Sequence, residues 1–158
     1  MQWQYGRMRL RQPLLAVATA GYLALVGWLT LGPQPLDDNG RGLLHRIIRY
    51  LSGDNKLDWI TYALVEFTAN IVLFVPVGIL FALLLGWRRW WLAALLGVGL
   101  TASIEFAQLF LRDRVTDPRD IVSNSIGAFI GVALVLIVTA WNLKRSARVD
   151  AAERSLVG

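Results

Sequence analysis

Four stretches of this 158-residue chain stay apolar for long enough to cross a hydrocarbon core, a crossing that takes about 20 helical residues. The first is PLLAVATAGYLALVGWLTLG, residues 13–32, and the second WITYALVEFTANIVLFVPVGILFALLLG, 59–86. The third is WLAALLGVGLTASIEFAQLFL, 91–111, and the fourth IVSNSIGAFIGVALVLIVTAW, 121–141. Pro76 and Gly78 sit near the middle of the second, where a kink is expected. Between the first two spans lies RGLLHRIIRYLS, 41–52, with Leu43, Leu44, Ile47, Ile48 and Leu51 on one helical stripe and Arg41, Arg46 and Arg49 off it. That pattern predicts a short amphipathic helix on the membrane surface. His45, on its polar face, is read as a headgroup neighbour. The expected fold is an all-α membrane protein: four transmembrane helices plus a short amphipathic interfacial helix between the first and second. One membrane domain covers 1–142, with its core at 59–141, and residues 143–158 form a basic tail expected to be disordered.

Composition sharpens this picture. Charged residues make up 17% of the chain and mean hydropathy is +0.50, against about 25% charged in an ordinary soluble domain. The absence of cysteine excludes disulfides, thiolate nucleophiles and Cys-ligated zinc. The net charge of +5 would suggest nucleic acid in a soluble protein, but here the bases flank apolar segments. They read as topology signals and lipid contacts, so membrane lipids and not nucleic acid are the expected partners. Arg7, Arg9 and Arg11 before the first span resemble a signal peptide, yet its length and the lack of a small-x-small site in GPQPLDDNG favour a retained helix. Nine bases fall on one side of a four-span topology and seven on the other. The bias predicts both termini in the cytoplasm of a multi-pass protein of the bacterial inner membrane. Trp3, Trp87, Trp90, Trp91 and Trp141 would form the inner aromatic belt, and Trp28 and Trp59 the outer one.

The polar residues inside the spans are not scattered. The second span begins, the third ends and the fourth begins on one side, so Glu66, Asn70, Glu105 and Asn124 reach a common half of the bilayer. Glu105 lies about 9 Å deep at 1.5 Å per residue. Thr101, Glu105, Gln108 and Arg112 make one stripe on the third span, and Asp120, Asn124, Gly127 and Gly131 another on the fourth. Charged groups are costly at such depths, so aligned stripes point to a pocket or a bonded interface between the second, third and fourth helices. Asp117 and Pro118 also fit a helix start, cap followed by first-turn proline. Arg114 is expected to fix the loop against Asp117 or Asp120. Gly127 and Gly131 permit close helix approach, within the chain or to a second copy.

At these residues the chain resembles the VanZ-like family. The resemblance rests on Asn70, Phe74, Pro76 and Gly78 in NIVLFVPVG, and on Glu105 and Gln108 in IEFAQ followed by Arg114, Asp117, Asp120, Asn124, Gly127 and Gly131. It implies a small multi-pass bacterial membrane protein of a family associated with glycopeptide, specifically low-level teicoplanin, resistance. It does not imply a chemistry.

Binding is the leading expectation, a lipid or lipid-linked cell-wall precursor headgroup held by Asn70, Glu105, Gln108, Arg112, Arg114, Asp117, Asp120 and Asn124. Pro76, Gly78, Gly127 and Gly131 are read as structural, and Gly127/Gly131 as a possible homo-oligomer contact. Arginines suit phosphate because one guanidinium bonds two oxygens; the amides and Glu105 suit sugar or peptide groups. The alternatives are a membrane enzyme on lipid-linked phosphate or glycan, with Glu105 and Asp120 as acid and base, or a bundle whose polar groups only lock its packing. A single histidine, no cysteine and no metal-ligand spacing weigh against catalysis. No metal or cofactor is expected.

Overall fold

The computed structural model describes residues 2–32, 62–111 and 117–157. Among them every regular element is helical: α1 (Gln2–Leu31), α2 (Tyr62–Leu85), a 3-10 turn (Trp87–Arg89), α3 (Trp90–Gln108) and α4 (Pro118–Val157). Four segments of these helices have the length and composition to cross a membrane: Gln12–Leu31, Ala63–Leu85, Trp87–Gln108 and Pro118–Val149. The amphipathic segment at 41–52, with His45, lies outside the described residues, as do Arg112 and Arg114.

The surface is that of a protein solvated by lipid. Leu14, Val17, Val72, Phe106, Phe110 and Ile137 point outward, each more than half exposed, while the interior holds Ala82, Ala93, Ala94 and Ala128 beside Thr101, Glu105, Gln108, Ser123 and Asn124. Hydrocarbon gives apolar side chains no reason to turn inward, so association rests on close packing of small residues and on hydrogen bonds. The largest helix contact, α2 on α4, shows this directly. A Cβ added at Gly78 would stand 2.0 Å from the Ala128 carbonyl oxygen, and one at Gly131 would stand 2.1 Å from that of Val75. One at Gly127 would meet the Ile71 carbonyl at 2.3 Å. Glycines from both helices therefore let the two backbones touch. Gly127 and Gly131, open on sequence grounds to docking a second copy, are occupied by α2 of the same chain.

α3 packs on both α2 and α4, and α1 lies against α2 and α3 at the edge. The α2–α3 connection is short because Gly86 takes φ +78°, a left-handed conformation that suits glycine, and ends α2. Its N–H donates to Ala82 O at 3.0 Å, and its own carbonyl accepts the Arg89 N–H at 3.0 Å. Pro76 lies inside α2, which is assigned as one helix across it. The Tyr22 hydroxyl, from α1, donates to Leu73 O at 2.8 Å, within the turn that Pro76 deprives of an N–H. Gln108 Nε2 donates to Thr30 O at 3.0 Å, tying the end of α3 to the end of α1. The start of α1 and the far end of α4 consequently share one side.

One element differs from the expectation. α4 continues to Val157, through the residues expected to form a disordered tail. From Leu143 to Val157 there is no glycine or proline, and Leu, Lys, Arg, Ala and Glu are strong helix formers, so nothing in the sequence stops the helix.

Candidate polar site between α2, α3 and α4

α4 starts where the sequence places it. Asp117 Oδ1 accepts the Arg119 N–H at 2.9 Å, and the Asp117 carbonyl accepts the Asp120 N–H at 2.8 Å, with Pro118 at the first helical position. This cap sets the register of everything that follows on α4. Asp120 then faces α2, where Asn70 Nδ2 donates to its Oδ1 at 2.7 Å. One turn deeper, Asn124 Nδ2 donates to the Thr101 hydroxyl of α3 at 2.9 Å. Between them Ser123 is fully buried and its hydroxyl donates to the Asp120 carbonyl at 3.2 Å.

Glu105 completes the layer from α3. It is 7% exposed, accepts the backbone N–H of Asp117 and lies within electrostatic reach of Asp120 and Asp117. Glu66, exposed one turn before Asn70, is within reach of the same two aspartates. Four carboxylates thus converge on the α4 start. Among the described residues, the cation on this stretch is Arg119, whose side chain is exposed. No group of three His, Cys, Asp or Glu among the described residues could hold a metal ion.

Asn70, Glu105, Asp117, Asp120 and Asn124 are brought together as the stripes predict. Gln108 is buried too, but its amide is turned to α1. Asn124 Oδ1 is buried without a hydrogen-bond partner. A buried unmet acceptor costs roughly 1–3 kcal/mol, so this atom marks where the layer is incomplete. Sequence reasoning missed Tyr22, Thr30 and Ser123. Tyr22 was the detectable one, as the single tyrosine inside the first span; a tyrosine at that depth usually has a partner for its hydroxyl. Thr30 contributes only a carbonyl, which leaves no mark in a sequence.

Chemically, the layer offers carboxylate and amide oxygens to donors, in surroundings that strengthen each bond. A family description, VanZ/LLP1, matches residues 19–139. That range contains all four helices' packed portions and every residue of the layer. No curated protein and no solved structure matches the chain.

Proposed function

The chain belongs to the VanZ/LLP1 family of membrane proteins, and from that premise we propose that the polar layer binds the headgroup of a lipid or lipid-linked cell-wall precursor. The observation that carries this reading is the unmet Asn124 Oδ1 in a layer of carboxylates and amides drawn from three spans. Sugar hydroxyls and peptide N–H groups are the donors such a layer lacks. Arg112, Arg114 and Arg119, within eight residues of one another in the sequence, would supply cations for a phosphate. With both termini cytoplasmic, the layer lies in the outer half of the membrane, where glycopeptides meet cell-wall precursors. A role in teicoplanin resistance or envelope homeostasis then follows from headgroup capture.

The test is native mass spectrometry of detergent-purified protein given phosphatidylglycerol or undecaprenyl-linked precursor, as wild type, Glu105→Gln and Arg114→Ala. Thermal unfolding is measured on each. The proposal expects a retained lipid that both variants lose while remaining folded. Equal retention by all three refutes it.

A structural reading has one observation in its favour: Asn70, Gln108 and Asn124 each already spend an amide N–H on a neighbouring helix. It predicts that Glu105→Gln changes unfolding and leaves lipid retention unaltered.

A further inference from the structure

The opposite end of the bundle is built differently. α2 ends there, the Gly86–Trp90 turn crosses it, and α4 passes alongside. Between the turn and α4 lies a cavity of about 460 Å³ lined by Trp87, Arg88, Trp90, Thr139 and Leu143, among others. Binding pockets for small ligands run from about 300 to 1,000 Å³. A second cavity of about 460 Å³ shares Ala140 with it and carries Trp141, Lys144, Arg145 and Arg148. The Arg88 guanidinium sits 5.8 Å from the Trp87 ring centre, and both side chains line the first cavity.

Charge identifies the kind of occupant. Residues 71–104 and 121–149 contain no Asp or Glu at all. α4 carries acids only after this stretch, at Asp150 and Glu153, so the four cations that line the cavities, Arg88, Lys144, Arg145 and Arg148, outnumber the carboxylates that follow them. Thr139 spends its hydroxyl proton on Val135 O at 2.7 Å, so an anion here must draw on the N–H groups of the cavities' arginines and lysine. Position identifies the source. Trp87, Trp90, Trp91 and Trp141 are all about half exposed or more at this level, the placement of an interfacial aromatic belt. Leu136 and Leu143 continue the cavity wall with hydrocarbon.

We propose that this end of the protein holds the phosphate of an anionic phospholipid between Arg88 of the turn and Lys144, Arg145 and Arg148 of α4, with its acyl chains against Leu136 and Leu143. The site is independent of the polar layer and survives the failure of that reading.

The experiment is lipid retention by native mass spectrometry on the full chain, offering phosphatidylglycerol and phosphatidylcholine in equal amounts. It is run on wild type, Arg88→Gln, Arg145→Gln/Arg148→Gln and Arg89→Gln. Arg89 is an exposed neighbour that lines neither cavity, so its variant matches Arg88→Gln in net charge. Wild type is expected to favour phosphatidylglycerol by about tenfold or more, from about 1 kcal/mol per engaged base. Arg88→Gln and the double variant lose most of that preference, and Arg89→Gln keeps it. Three results overturn the proposal: equal retention of both lipids by wild type, equal losses in Arg88→Gln and Arg89→Gln, or displacement of phosphatidylglycerol by millimolar inorganic phosphate. The second would mean surface charge alone, and the third a soluble anion.

Discussion

Replacing Gly127 by alanine tests the packing on which the polar layer stands. The new Cβ would lie 2.3 Å from Ile71 O and 2.9 Å from the Phe74 Cβ, where ordinary contacts begin near 3.4 Å. Ile71 O is backbone inside α2, so no side chain can rotate away, and α2 and α4 must part by about 1 Å. Overpacking of this kind costs about 1–3 kcal/mol. Ile71 is the neighbour of Asn70, so the same displacement stretches the 2.7 Å bond from Asn70 to Asp120 beyond hydrogen-bonding range. A bond to a charged group contributes about 1.5–3 kcal/mol, and the two losses overlap because one movement causes both. The expected destabilisation is about 2–4 kcal/mol. Gly99→Ala is the control: its Cβ meets nothing within 4 Å, and alanine favours the helix. Both would be unfolded in mild detergent with a denaturant titration followed by tryptophan fluorescence. Gly127→Ala as stable as Gly99→Ala would refute the claim that backbone contact between α2 and α4 holds the bundle.

Other outcomes follow from single contacts. Tyr22→Phe removes the donor to Leu73 O and is expected to lower stability by about 1 kcal/mol in the same titration. A double-mutant cycle with Thr101→Val and Asn124→Leu should give a coupling energy of about 0.5–1.5 kcal/mol, the usual size within membranes. Asp117→Ala removes the cap that accepts the Arg119 N–H, costing about 1 kcal/mol and raising amide exchange in the first turn of α4. A reporter that fluoresces only in the cytoplasm, fused after Gly158, is expected to light up; a dark, folded fusion would reverse the orientation.

How much of this was legible in the chain differs from element to element. The spans were, because about 20 apolar residues in a row admit few other structures. The α4 start was legible because Asp117 and Pro118 each have a specific task in a helix cap. The stripes carried the layer: Asn70 does meet Asp120, and Asn124 does meet α3. The direction of the glycine face was not legible, since a small-residue stripe looks the same whether it receives a helix of its own chain or of another. The helical course of residues 143–157 was missed by letting charge stand for disorder, although no residue there breaks a helix. Gln108 was placed at the right depth, but its partner is a main-chain carbonyl of α1, and carbonyls are identical at every position.

α4 is forty residues long, about 60 Å at 1.5 Å per residue, or twice the hydrocarbon thickness of about 30 Å. It is the one described element that starts at Pro118, beside the polar layer, passes the basic cavity and ends well beyond it. One continuous helix therefore carries Asp120 and Asn124 of the polar layer toward one end and Lys144, Arg145 and Arg148 of the basic cavity toward the other. A spin label placed just beyond Ala151 would sit on the same unbroken backbone as Asn124, about 40 Å away at 1.5 Å per residue.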